Sequence, residues 1–327
     1  MKKIILTGSV VMLAIALVTG LYSCQKEKTT SSSTPADDTA VQNQNASDDV
    51  RVSSELDNAT SDEVAAMSST STMSGRMSSA GTGVPLSCDA TVDSTNISSG
   101  VIVITFDSVN SCTPLSPFHR SGSITLNIIN YAAGMRWTTP GATVGITFNN
   151  YRVYRGASMN YIMFNGSKSL TNVNGGLFKN ITTSFSLVHK LTANINVTFS
   201  HGGKAFSWNV ARTTTWSSPS ASVYQVTVTG NGTAGGYSNV SMWGTNRAGN
   251  SFYEVFATPY SANSNCLWWR PTAGVIALHG LAHDLTITYG VDAFGSPAAA
   301  STCSAFGFSL SWTNPAGISK TAVIPYF

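Results

Sequence analysis

From about Leu86 onward, apolar and polar positions alternate along the chain. Ser123-Ile124-Thr125-Leu126-Asn127-Ile128 puts three apolar side chains on one face, and Phe306, Phe308, Leu310 and Trp312 alternate with Gly307, Ser309 and Ser311. A period of two predicts half-buried strands, with these aromatic residues in the core. The same texture runs through Ile195-Val197-Phe199, Phe206-Trp208-Val210, Tyr224-Val226-Val228 and Leu285-Ile287-Tyr289, while Val101-Ile102-Val103-Ile104 is apolar on both faces and predicts a central strand. Turn residues at Asn149-Asn150, Asn174-Gly175-Gly176, His201-Gly202-Gly203, Gly230-Asn231-Gly232, Ala248-Gly249-Asn250 and Gly280 punctuate the runs into hairpins. The expected fold is all-β: a large antiparallel meander of about 11–13 strands, arranged as a sandwich or a strongly curled open sheet.

The preceding stretch, Thr29 to about Val84, has no such pattern. It is Ser, Thr, Asp, Asn, Ala and Met with almost no aromatic residue. Low hydropathy and acidic balance predict a disordered tether, with at most a helical turn at Asp62-Glu63-Val64-Ala65-Ala66-Met67. No other segment shows a helical repeat of useful length.

Composition narrows the class. Only 10% of the 327 residues are charged and 42% are apolar, with 28 Gly, 14 Phe, 11 Tyr and 7 Trp. A helical bundle needs more Glu, Lys and Leu, and wholesale disorder fewer aromatics. The net charge of +3 hides a segregation: residues 25–84 carry four bases and nine acids (4 − 9 = −5), and residues 85–327 twelve bases and six acids (12 − 6 = +6). The bases are scattered singly, without the cluster that phosphate contact requires, so no nucleic-acid partner is expected.

At the N-terminus, Met1-Lys2-Lys3 and the apolar stretch Ile4–Leu21 read as an export signal, interrupted by Thr7, Gly8, Ser9, Thr19 and Gly20 and therefore too broken for a spanning helix. Leu21-Tyr22-Ser23-Cys24 resembles the lipobox of bacterial lipoproteins, which implies cleavage before Cys24 and acylation of it. Gln25-Lys26-Glu27-Lys28 is similar to the charged tags that follow the lipidated cysteine in Bacteroidetes lipoproteins. That implies an outer-membrane lipid anchor, with display at the cell surface favoured over the periplasmic face. The expected organisation is a signal peptide (1–23), a lipidated cysteine with its tether (24–84) and an all-β domain (85–327).

Strand texture and cysteine placement also resemble a group of uncharacterised Bacteroidetes outer-membrane lipoproteins. The resemblance covers most of Ser87 to Trp312. It is carried by Gly100-Val101-Ile102-Val103-Ile104-Thr105-Phe106-Asp107 ahead of Cys112, Arg120-Ser121-Gly122-Ser123-Ile124 and Ile146-Thr147-Phe148-Asn149-Asn150-Tyr151, then by Ser169-Leu170-Thr171-Asn172, Arg212-Thr213-Thr214-Thr215-Trp216 and Cys266-Leu267-Trp268-Trp269 preceding Gly274-Val275-Ile276. It supports fold and location and assigns no mechanism.

Besides Cys24, four cysteines (Cys88, Cys112, Cys266, Cys303) in an exported chain predict disulfides, with Cys88–Cys112 and Cys266–Cys303 preferred because each closes a loop at one end of the domain. No Cys-x-x-Cys or Cys-x-x-His spacing points to zinc. His279 and His283 are the one close histidine pair; on a three-residue hairpin loop they would stand opposite one another and could supply two metal ligands, with Asp284 on the other face. Consecutive Trp268 and Trp269 must face opposite ways in a strand, so one of them is a candidate for stacking on a sugar ring. The six acids of the domain (Asp89, Asp93, Asp107, Glu254, Asp284, Asp292) have no spacing that sets up a glycosidase pair, and no cofactor is implied. The expected function is non-catalytic binding of a glycan or envelope protein, or a structural role, by a domain attached to the membrane through its lipid; the alternative is a carbohydrate-active hydrolase of the cell surface.

Overall fold

The structure, a computed structural model, describes residues 39–69, 76–77, 89–107, 118–155, 160–200, 206–246, 249–266, 270–280, 284–299, 303–313 and 317–326. Within these the fold is all-β: sixteen strands in one sheet, with one long helix, α1 (Thr39–Ser69). The strands are β1 (Arg76–Met77), β2 (Ala90–Asp93), β3 (Val101–Phe106), β4 (Phe118–Ile128), β5 (Ala142–Arg155), β6 (Tyr161–Asn172), β7 (Leu187–Phe199) and β8 (Phe206–Ser220). There follow β9 (Val223–Gly230), β10 (Gly232–Ala234), β11 (Tyr237–Thr245), β12 (Ser251–Asn263), β13 (Ala273–His279), β14 (Leu285–Val291), β15 (Gly307–Thr313) and β16 (Ser319–Pro325). Order along the sheet follows the chain from β1 to β8 and from β11 to β16, an antiparallel meander at both ends.

The meander is interrupted in the middle. β9 and β11 both lie between β8 and β12: β9 pairs with the second half of β8 (Thr213↔Thr229, Ser217↔Gln225) and of β12 (Tyr260↔Val228), while β11 pairs with their first halves (Met242↔Val210, Val240↔Val255). The two strands therefore occupy one sheet position end to end, and these pairings close a small ring. Between them the chain leaves the sheet as a hairpin, β10 against the start of β11 (Ala234↔Tyr237). Gly230 marks the exit, where a Cβ would collide with the carbonyl oxygen of Asn239.

Asn149 and Asn150 do not end a strand, contrary to the turn expected there. They form a bulge inside the 14-residue β5, with Asn150 at φ 50°. Opposite it, Gly122 (φ 91°) has no room for a Cβ against the Asn150 carbonyl. Such bulges bend and twist a sheet, and Tyr151 beside this one accepts a 3.4 Å bond from Arg120, the partner of Asp62 on α1.

The helix corrects the expectation of an unstructured tether for that part of residues 24–84. Val52, Leu56, Ala59, Ala66 and Met67 are buried with Ile102, Ile104, Leu126, Ile146, Phe148, Phe164, Ile195 and Trp208 in one core. Poor helix formers predominate in α1, so its order comes from this docking. A second core joins Phe256, Ile276, Leu278, Leu285, Ile287 and Phe308 with Ala305 and Tyr326. There the Tyr326 hydroxyl accepts a bond from the Gly290 amide at 3.1 Å, and the Cys266–Cys303 disulfide ties the end of β12 to the segment before β15. Phe308 is core as expected, but Phe306 precedes its strand and is 42% exposed.

Candidate functional site

Much of the buried charge lies between α1 and the inner face of the sheet. Asp57, Asp62 and Glu63 of α1 meet Arg212 of β8, Arg120 of β4 and Lys168 of β6. Arg120 donates Nη1 to Asp62 Oδ2 at 2.6 Å and Nε to Asp89 Oδ2 at 2.9 Å, and its guanidinium lies 4.4 Å from the Phe106 ring centroid. Burial works against the Arg120 charge, but Tyr151, Asp89 and Asp62 outweigh it and raise the pKa above its ordinary value. Lys168 Nζ sits 2.6 Å from Glu63 Oε2 and donates to Thr60 Oγ1 at 2.8 Å. Burial pushes the Glu63 carboxyl up to about 7, against the pull of Lys168, and pushes the Lys168 amine down. Glu254 accepts a bond from the Ser241 hydroxyl. The three ion pairs between α1 and the strands hold the helix on the sheet.

At the other end of the inner face, His189 packs between Trp137 (ring centroids 5.1 Å apart) and Trp216 (4.9 Å). Burial lowers its pKa to about 4, and neither ring nitrogen has a hydrogen-bond partner among the described residues. Its register partner Asn172 donates to the carbonyls of Trp137 (3.0 Å) and Gly176 (2.9 Å), fastening two loops to the sheet.

The solvent-facing side is built differently. One row of register partners crosses from β4 to β13: Thr125↔Thr147, Thr147↔Ser167, Ser167↔Asn194, Asn194↔Asn209, Asn209↔Trp243, Trp243↔Tyr253 and Tyr253↔His279. Partners in an antiparallel pair share a face, so the row is a continuous lane of hydroxyls and amides ending in aromatic rings. Asn194 donates Nδ2 to Asn209 Oδ1 at 2.8 Å, and Asn209 donates to the Trp243 carbonyl at 3.3 Å. A parallel row, Asn165↔Asn196 and Asn196↔Ser207, runs beside it.

The extruded hairpin folds over the aromatic end of this lane. A Cβ on Gly232 would press on the Trp243 ring, and one on Gly235 (φ 60°) would enter the Tyr253 ring, so only glycine allows this approach. The fold-over sets Tyr237 parallel to His279, with centroids 4.2 Å apart and planes 7° apart, and 5.7 Å from the Tyr253 ring. Tyr237 is 36% exposed. Asp284, whose side chain is 64% exposed, places Oδ2 2.7 Å from His279 Nδ1.

Register corrects one sequence expectation here. Leu278 pairs with Leu285, so Asp284 stands opposite His279, where a three-residue loop would have placed His283. His283, Trp268, Trp269, Cys24, Cys88 and Cys112 lie outside the described residues. Of the domain's acids, Asp89 is tied to Arg120, Asp93 caps the Thr95 amide, Glu254 faces inward, and Asp292 accepts from the Phe294 and Ser296 amides. Tyr237 and Tyr253 were not singled out by the sequence; a tyrosine directly after the Gly235-Gly236 turn was the available signal. Compared with known proteins, the chain matches no family model, no curated protein and no solved structure.

Proposed function

We propose that the protein is a lipid-anchored component of the cell envelope, attached to the outer membrane through Cys24, that works by non-catalytic binding of a glycan or envelope protein. The observation that carries this reading is the Thr125-to-His279 row on the solvent-facing side. Hydroxyl and amide groups in register offer uncharged donors and acceptors, which suit recognition and are poor acids and bases near neutral pH. The buried charges of the inner face are engaged in docking α1, a structural use.

Two measurements test the reading. Cys24→Ala should abolish lipid labelling and shift the protein out of the membrane fraction; unchanged membrane association would remove the anchor. Detergent-solubilised protein should retain a glycan or an envelope protein without consuming it. Turnover of a polysaccharide, lost on changing Glu254 or Asp284, would replace binding by hydrolysis.

A further inference from the structure

We propose that Tyr237, stacked on His279 at the end of the Thr125-to-His279 row, is the stacking platform for a pyranose ring of a neutral glycan that lies across the strands. This deepens the binding reading above and rests on it. A tyrosine at the tip of a mobile loop would be a poor receptor, because ordering it would oppose binding. Tyr237 is instead held on three sides: by the β10–β11 pairing, by the parallel His279 ring below it, and by Tyr253, over which the Gly235 turn is seated. One ring of the hairpin stays partly open to solvent while Trp243 and Tyr253 serve as its footing.

The chemistry of the surroundings selects the ligand. A pyranose offers an apolar C–H face to an aromatic ring and hydroxyls around its rim. Beside Tyr237 the rim meets the Asp284 carboxylate and the His279 ring nitrogen that Asp284 does not engage. Along the lane it meets Asn209, Asn194 and Ser167. From Thr125 to Tyr253 the row has no charged side chain, so an acidic polysaccharide finds no counter-charge there. Strands about 4.8 Å apart repeat the polar groups at near-even steps, which fits an extended chain better than a single sugar.

The test uses the full chain in detergent on columns of immobilised mannan, xylan and β-glucan, with pectin as the acidic counterpart. Retention by at least one neutral polysaccharide is expected. Tyr237→Ala should weaken it about tenfold, the scale of a lost aromatic contact, and Tyr237→Phe should preserve it. Ser167→Ala, an exposed member of the row remote from the hairpin, should weaken retention several-fold with an unchanged thermal midpoint, so that a collapsed hairpin in Tyr237→Ala cannot imitate the result. Neutral retention that survives both alanine variants would overturn the site and leave the binding reading standing. Retention by pectin alone, or by no polysaccharide while an envelope protein binds, would overturn the ligand class. Binding of neither class would remove the underlying reading as well.

Discussion

Lys168 and Glu63 form an ion pair that is sealed off from water: their side chains are 1% and 0% exposed, with Nζ 2.6 Å from Oε2. The pair joins a helix to a strand more than one hundred residues later in the chain. A buried pair is costly to desolvate, and its two halves are tolerable only together.

Lys168→Met should therefore lower unfolding stability by about 3–5 kcal/mol, because it leaves the Glu63 carboxyl buried without its partner and forces it to take up a proton. Glu63→Leu combined with Lys168→Met should recover most of that loss. Urea unfolding of both variants and of Glu63→Leu completes the cycle; additive losses would mean that the two groups do not act as a pair.

His189 predicts a pH dependence of definite sign. Its pKa is about 4 in the folded protein and about 6.5 when unfolded. Above pH 6.5 the ring is neutral in both states. As pH falls from about 6.5 to 4 the unfolded chain binds the proton first, so stability drops, by roughly 3 kcal/mol in all. His189→Phe keeps the ring between Trp137 and Trp216 and should remove this share of the slope. A wild-type-minus-variant difference that is flat over the window would refute it.

Gly122 is a third target. With φ at 91° and the Asn150 carbonyl against its missing Cβ, Gly122→Ala must strain or open the β4–β5 bulge. A loss of about 1–3 kcal/mol is expected. Gly134, also at positive φ but with nothing within 4 Å of the place a methyl group would take, should lose less on the same change. Equal thermal shifts would show that backbone conformation alone sets the effect.

The Cys266–Cys303 bridge closes a loop with a sequence separation of 37. Loop entropy puts its contribution at roughly 4 kcal/mol. Cys266→Ala with Cys303→Ala should lower the denaturation midpoint accordingly, and reduction of the wild type should lower it at least as far.

Much of the sheet was legible because alternation is local: Ile195, Val197, Phe206, Trp208, Leu285 and Ile287 all point inward as their spacing requires. α1 was hidden by one residue. Val52, Leu56, Ala59, Glu63 and Ala66 recur at helical steps, but the acid in the stripe and the Ser, Asn and Asp around it read as a solvated segment. The partner of that acid lies on β6, beyond any local window. Charge segregation carried the missing signal, since an acidic stretch followed by a basic domain is also what a docked helix looks like. Similarly, Asn149-Asn150 has turn chemistry and is used for a bulge. The Tyr237 platform depends on β9 and β11 sharing one position, and pairing of that kind has no signature in the order of residues.

Docking of α1 also sets how far the domain can stray from its proposed lipid. Between Cys24 and the first strand of the sheet at Arg76 a fully extended chain could span roughly 180 Å; between Cys24 and Thr39 it could span only about 50 Å. With the helix seated, the longer figure ceases to apply and the sheet is kept on a short leash. If Cys24 carries the proposed lipid, the Glu63–Lys168 pair would act as a clamp on altitude above the membrane, and a variant that unseats α1 should let the domain reach partners that the intact protein cannot touch.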